Sequence, residues 1–167
     1  MPLEIERKFL VRDDSWKAAC THSVKVRDGL IAASQGRKAR VRIIDGKGTL
    51  AVKGEEHGTV RAEFEYSIPI GDAEEMLRTM CGDSILEKTR YFVPHAGLTW
   101  EVDVYDGVLK GIVIAEVELA RENQPVALPA WIGTEVTNNP NYKKSIMAER
   151  HRAVVRTLRV AAQPASA

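Results

Sequence analysis

Cysteine is scarce in this chain of 167 residues: there are two, Cys20 and Cys81. They lie far apart and lack the short spacing of a metal site. They read as free thiols in a reducing cytosol, with a single disulfide as the alternative. Net charge is almost absent too, since 24 Lys and Arg against 23 Asp and Glu leave a formal +1. That removes any bulk electrostatic pull toward nucleic acid or a membrane surface. No apolar run approaches the ~20 residues of a membrane span, and the N-terminus carries no apolar signal segment. The expectation is a cytoplasmic protein with no nucleic-acid and no membrane partner. The four histidines, His22, His57, His95 and His151, are scattered without zinc spacing. Gly46-Lys47-Gly48 lacks the long phosphate-loop pattern and reads as a turn. There is no linker and no internal repeat longer than a hairpin, so residues 1–167 are expected to form one domain.

What the chain does have is charge, in 28% of its residues, and that charge is ordered. Side chains of a strand alternate between two faces. In the first strand Glu4, Glu6 and Lys8 share one face, and Ile5, Arg7 and Phe9 share the other, which puts Arg7 on the surface. The pattern recurs. Arg40 and Arg42 oppose Val41 and Ile43; Lys53 shares a face with Ala51 and Thr49; Glu63 and Glu65 oppose Phe64 and Tyr66. Lys88 and Arg90 oppose Thr89 and Tyr91; Glu101 and Asp103 oppose Trp100, Val102 and Val104; Glu116 and Glu118 oppose Val117 and Leu119. A segment from Val24 to Ala33 adds a strand with a possible turn at Asp28-Gly29, for about eight strands in all, a number at which a sheet can close on itself. Asp45-Gly46 signals a hairpin. Ser34 to Lys38 reads as a basic loop and Pro125 to Gly133 as irregular. Asp72 is expected to cap a helix over Ala73 to Met80. Asn139-Pro140 opens a helical segment over about 139–162 with a break near His151, and Lys143 and Lys144 read as a solvated helix start.

The charged faces either point to solvent around an apolar core or line a barrel whose apolar outside is covered by helices. A solvated face usually mixes in Thr, Ser and Gln. Here the positions are paired and nearly all ionic, and carboxylates sit next but one to each other, which costs repulsion unless a cation lies between them. These features favour a charged lumen built for a ligand, with a second subunit covering part of the outside as a possible homodimer. Crowded carboxylates suit Mg²⁺ or Mn²⁺, and the planar fork of arginine matches phosphate oxygens. A small molecule of linked phosphates, bridged to carboxylates by a divalent metal, satisfies both halves.

The ordered set resembles the CYTH superfamily, the triphosphate tunnel metalloenzymes. Glu4-x-Glu6-x-Lys8 is similar to its ExExK signature. Arg40-x-Arg42, Lys53-Gly54, Glu63-x-Glu65, Lys88-x-Arg90, Trp100-Glu101-Val102-Asp103 and Ala115-Glu116-Val117-Glu118-Leu119 follow in the family's order, as does Pro129-x-Trp131-Ile132-Gly133-x-Glu135-Val136-Thr137. The resemblance implies an α+β protein: an eight-stranded antiparallel β-barrel, or tunnel, over about 3–120, with a charged lumen, flanking helices and a C-terminal helix that plugs or caps it. It implies a Mg²⁺- or Mn²⁺-dependent triphosphatase, of the kind that cleaves inorganic tripolyphosphate to pyrophosphate and phosphate. Glu4, Glu6, Glu116 and Glu118 would bind metal, helped by Glu63, Glu65, Glu101 and Asp103. Lys8, Arg40, Arg42, Lys53, Lys88 and Arg90 would bind phosphates, and Glu4, Glu6 and Lys8 form the catalytic signature. The alternatives within the family are thiamine triphosphate hydrolysis and ATP cyclisation; outside enzymes, the alternative is a polyphosphate or nucleotide sensor.

Two stretches depart from the family pattern. Ile31 to Lys38 stands where many bacterial members carry Gln-Gly-Tyr-Leu, and it has no tyrosine. Tyr142-Lys143-Lys144-Ser145 replaces a more usual Tyr-x-Asn-Ser and adds positive charge.

Overall fold

The computed structural model describes residues 2–161. Met1 and residues 162–167, including the expected helix end at Ala162, lie outside them. Eight strands are made where the sequence alternates: β1 (Leu3–Val11), β2 (His22–Ser34), β3 (Arg37–Ile44), β4 (Lys47–Lys53), β5 (Val60–Ile68), β6 (Ile85–His95), β7 (Leu98–Tyr105) and β8 (Val113–Glu118). They run in the order β5-β4-β3-β2-β6-β7-β8-β1, and β1 also pairs with β5. Residues 6–10 of β1 pair with 114–118 of β8 on one edge, and residues 3–5 pair with 60–62 of β5 on the other. Both pairings are antiparallel, and together they close the barrel. The β3–β4 turn has Asp45 and Gly46 both at positive φ, as a tight two-residue hairpin requires.

Three local expectations give way to longer-range packing. Asp28-Gly29 is not a turn: β2 runs straight through it, pairing Asp28 with Arg42 and with Leu86. The stretch 34–38 is only partly loop, because β3 already begins at Arg37. Beyond Pro129, Ile132–Glu135 forms a ninth strand, β9, which pairs with Phe9 and Val11 of β1 past the point where β5 ends its contact.

The apolar faces point outward, and those of β1, β3, β7 and β8 are covered. Ile5, Phe9, Trp100, Val102, Val117 and Trp131 form one cluster with Trp16, which sits on a short 3-10 helix over Asp14–Ala19. Phe9 packs on Trp100 with ring centroids 5.5 Å apart, and Trp100 on Trp131 at 5.7 Å. The helix α1 (Ile70–Met76) starts earlier than expected, directly after Pro69, and continues as a widened π-helical turn over Leu77–Cys81. It brings Ala73, Leu77 and Cys81 onto Val41 and Ile43. Gly29 makes this approach possible, because a Cβ there would stand 2.5 Å from Cys81 Sγ and 2.6 Å from a Leu77 methyl. Gly29→Ala is therefore expected to cost about 1–3 kcal/mol through overpacking, read as a lower denaturant midpoint at unchanged slope. Both cysteines are free.

The C-terminal segment enters as a 3-10 turn, Pro140–Tyr142, capped by the Asn139 side chain, and continues as α2 (Lys144–Ala161) with no break at His151. Met147 of α2 is buried with Leu86, Tyr105 and Ile114, whose side chains belong to the lumen face of β6, β7 and β8. His151 bonds to the Asp83 carbonyl and Arg152 to Ser84. The start of α2 thus closes one end of the barrel. Among the described residues no helix is long and apolar enough to cross a membrane.

Candidate functional site

Antiparallel pairing with a two-residue side-chain period fixes which residues meet inside. Glu4, Glu6 and Lys8 of β1 project into the lumen together with Glu116 and Glu118 of β8, Glu63 and Glu65 of β5 and the basic residues of β3, β4 and β6. Arg7, on the other parity, lies outside, paired with Glu135 at 2.6 Å and over the Phe9 ring.

Inside, acids and bases are laced together. Lys53 Nζ lies 2.9 Å from Glu4 and 2.8 Å from Glu63. Lys8 is 2.7 Å from Glu6. Arg90 grips Asp103 with two hydrogen bonds of 2.7 and 2.8 Å, reaches Glu116 at 3.1 Å and also contacts Glu101. Lys88 pairs with Asp103. Arg40 lies 3.5 Å from Glu63 and 3.3 Å from Glu65. All the lysines, arginines, aspartates and glutamates expected at the site face this one lumen.

Four charged groups belong to the lumen that the sequence reading had not placed there. Asp28 takes two hydrogen bonds from Arg42, of 2.5 and 3.1 Å, and lies 3.5 Å from Lys88. Arg61 bonds Glu4 and lies 3.2 Å from Glu6; its signal was its shared parity with Glu63 and Glu65. Lys38, half-buried, lines the lumen at its inner end. Lys144 is not a solvated helix start, since its Nζ lies 2.9 Å from the buried Glu116. Lys143 pairs with Glu56 at 2.8 Å.

The pairing sets the ionisation. Burial works against the charge of Glu4, but Lys53 and Arg61 outweigh it and hold its carboxyl below the usual range. Burial is outweighed in the same way at Asp28 by Arg42, Lys88 and Arg40, at Asp103 by Lys88 and Arg90, and at Glu116 by Lys144, Lys8 and Arg90. Burial brings the Lys88 ammonium down to about 8, with Asp103 opposing. Folded-state pKa values below the unfolded ones give stability that is present above the ordinary carboxylate range and lost as pH falls through it. Glu101 and Glu118, both raised, act in the opposite sense. The melting temperature is expected to hold between about pH 7 and 5 and to drop below about pH 4, as thermal unfolding across pH would show.

Glu118 differs from its neighbours. It is exposed at the open mouth, and its carboxyl is raised first by burial and then by Glu4, Glu101, Glu6 and Glu63. Among the described residues no cationic side chain forms an ion pair with it. The mouth is a cavity of about 540 Å³ walled by Glu4, Glu6, Glu63, Glu101, Glu116 and Glu118 among others. A concentration of carboxylate oxygen with an unneutralised member is the donor chemistry of a hard divalent cation. Among the described residues no three acidic, His or Cys side chains already converge on one point, because the lumen cations hold most of the carboxylates apart. Arg40 Nε, also in the lumen, is buried without a hydrogen-bond acceptor.

Residues 2–149 match the CYTH domain. The chain belongs to the CYTH domain family. Within the family it is 44% identical over 145 residues to an inorganic triphosphatase of Acetivibrio thermocellus, covering 87% of this chain and 92% of that protein. It is 33% identical over 150 residues to an inorganic triphosphatase of Nitrosomonas europaea, with coverage of 87% and 96%. Among solved CYTH-like structures, the crystal structure of an inorganic triphosphatase superposes with a TM-score of 0.62 at 32% identity, over 89% of this chain and 95% of that one.

Proposed function

We propose that this protein is a divalent-metal-dependent triphosphatase whose substrate is inorganic tripolyphosphate, cleaved to pyrophosphate and phosphate. The observation that carries the reading is the ion-pair lattice of the lumen. Six cations there already neutralise carboxylates, and a complex of a polyanion with a divalent metal replaces both partners at once: phosphate oxygens take over Lys8, Arg40, Arg42, Lys53, Lys88 and Arg90, and the carboxylates they release become free for the metal. Two curated relatives named inorganic triphosphatase, together covering most of the chain, support the same substrate.

Glu4, Glu6, Glu116 and Glu118 are the residues that would hold Mg²⁺ or Mn²⁺, with Glu63, Glu65, Glu101 and Asp103 in support. The ion supplies charge neutralisation on the phosphates and a more acidic water for attack. The protein's own part is positional. Arg42 and Arg90 present planar donors in a fixed direction, Lys8 sits between the two acidic ends of β1 and β8, and the buried wall keeps these groups from relaxing away from a dianionic centre.

The test is phosphate release from tripolyphosphate, ATP and thiamine triphosphate in parallel with Mg²⁺, Mn²⁺ or EDTA. Metal-dependent turnover is expected for tripolyphosphate above the others. Equal or greater release from an organic triphosphate would move the substrate assignment, and cyclic AMP from ATP would change the reaction class. Arg42→Ala is expected to raise KM for tripolyphosphate about tenfold or more, from loss of a charge-assisted bidentate contact. Unchanged KM would remove Arg42 from the substrate site.

The outer faces of β4 and β5 support a homodimer. Val52, Phe64 and Tyr66 are cross-strand neighbours there, with 47%, 40% and 59% of their surfaces exposed. A second copy covering this face would give a dimer mass in light scattering, and Phe64→Lys would return a monomer.

A further inference from the structure

The lumen has two chambers of opposite character. In the mouth described above carboxylates outnumber the cations, which are Arg40, Arg42, Arg90 and Lys144. The inner chamber, against the α2 plug, is a cavity of about 50 Å³ whose basic lining is Lys8, Lys38, Arg40, Lys53, Arg61, Lys143 and Lys144, with Glu56 and Asp28 as its acids. Those acids are already engaged, Glu56 by Lys143 and Asp28 by Arg42. Lys38 is half-buried, and among the described residues no carboxylate lies within ion-pair distance of it. Burial, reinforced by Arg61 and opposed by Glu56, brings its ammonium down to about 8. Arg40, with its buried and unaccepted Nε, borders the same chamber.

We propose that the inner chamber is an inward extension of the lumen's phosphate site, with Lys38 as the ligand it adds, and that it takes one tetrahedral phosphoryl group. Its size holds only a few waters, so one phosphate group fits and a chain of three does not. Arg40 and Lys144 border both chambers and connect them. A phosphoryl group in the inner chamber is therefore either free orthophosphate or the terminal group of a chain longer than the three phosphates held in the lumen. The second source rests on the triphosphatase reading; the first does not. The Lys143–Glu56 pair ties the loop after β4 to the segment entering α2, which makes it the inner wall of the subsite.

The test compares the wild type with Lys38→Met and, as a second variant that keeps hydrogen-bonding capacity, Lys38→Gln. Binding of inorganic phosphate is measured calorimetrically in EDTA, where no turnover occurs, and KM is measured for tripolyphosphate and tetraphosphate with metal. Both variants are expected to weaken phosphate binding about tenfold, the loss of one charged hydrogen bond, or to raise the tetraphosphate KM about tenfold relative to that of tripolyphosphate. The first result alone assigns the subsite to free phosphate, and the second alone to the end of a longer chain. Phosphate binding that depends on Lys38 in a protein that hydrolyses no tripolyphosphate would leave the subsite standing and overturn the triphosphatase reading. Phosphate binding and KM ratio both unchanged in folded variants would overturn the subsite.

Discussion

Replacing Arg90 with methionine is expected to cost the fold about 3–5 kcal/mol, the usual consequence of removing one partner from a buried ionic cluster. Arg90 is the hub of the β6–β7–β8 wall. It satisfies Asp103, which is fully buried, and also Glu101 and the buried Glu116. Burial alone would make its charge unfavourable, and these three carboxylates more than reverse that. Without it, Asp103 keeps only Lys88, and Glu101 loses the one cation paired with it among the described residues. For a domain of this size the loss corresponds to about 10 °C in melting temperature. Arg7→Met is the control: the Arg7–Glu135 pair is half-exposed on the outer face, and its loss is expected to cost no more than about 1 kcal/mol. Equal losses for the two variants would mean that the lumen lattice contributes no more than a surface pair.

Glu4→Gln separates function from folding. The carboxamide keeps the shape of the side chain and one acceptor oxygen for Lys53 and Arg61, so the stability loss is expected to be at most about 2 kcal/mol. It lacks the charge that a divalent cation requires, so metal-stimulated turnover is expected to fall about a hundredfold or more. The check is kcat at saturating metal beside a denaturant unfolding curve of the same preparation. Full activity in a folded variant would remove Glu4 from the reaction centre.

The barrel was legible in the sequence because most of its strands carry their signal locally: paired charges on one parity, β-branched and aromatic residues on the other. What was missed depends on contacts that no local stretch encodes. Asp28-Gly29 has the composition of a turn, yet Asp28 is drawn inward by Arg42 and Gly29 is required by Leu77 and Cys81, both about fifty residues away. Arg61 stood on the right parity, but its role comes from the β1–β5 closure, where the two ends of the sheet meet. Lys144 looked solvated because helix periodicity does not reveal that a helix start enters the end of a barrel and reaches Glu116. Strand β9 is four residues long after a proline-bounded stretch, and it exists only because β1 outruns β5 and offers a free edge. The charged lumen itself was readable as a set of residue types; the lattice of specific pairs, and the division into an acidic mouth and a basic inner chamber, needed the closed sheet.

The most direct test of the lumen as a triphosphate-cleaving site is phosphorus NMR of tripolyphosphate incubated with the purified protein and Mg²⁺ or Mn²⁺. The account predicts that the tripolyphosphate signals are replaced by pyrophosphate and orthophosphate in equal molar amounts, and that EDTA stops the conversion. Tripolyphosphate that stays intact in the presence of either metal, with the protein folded and binding it, would contradict the account and leave a binding protein in place of a hydrolase.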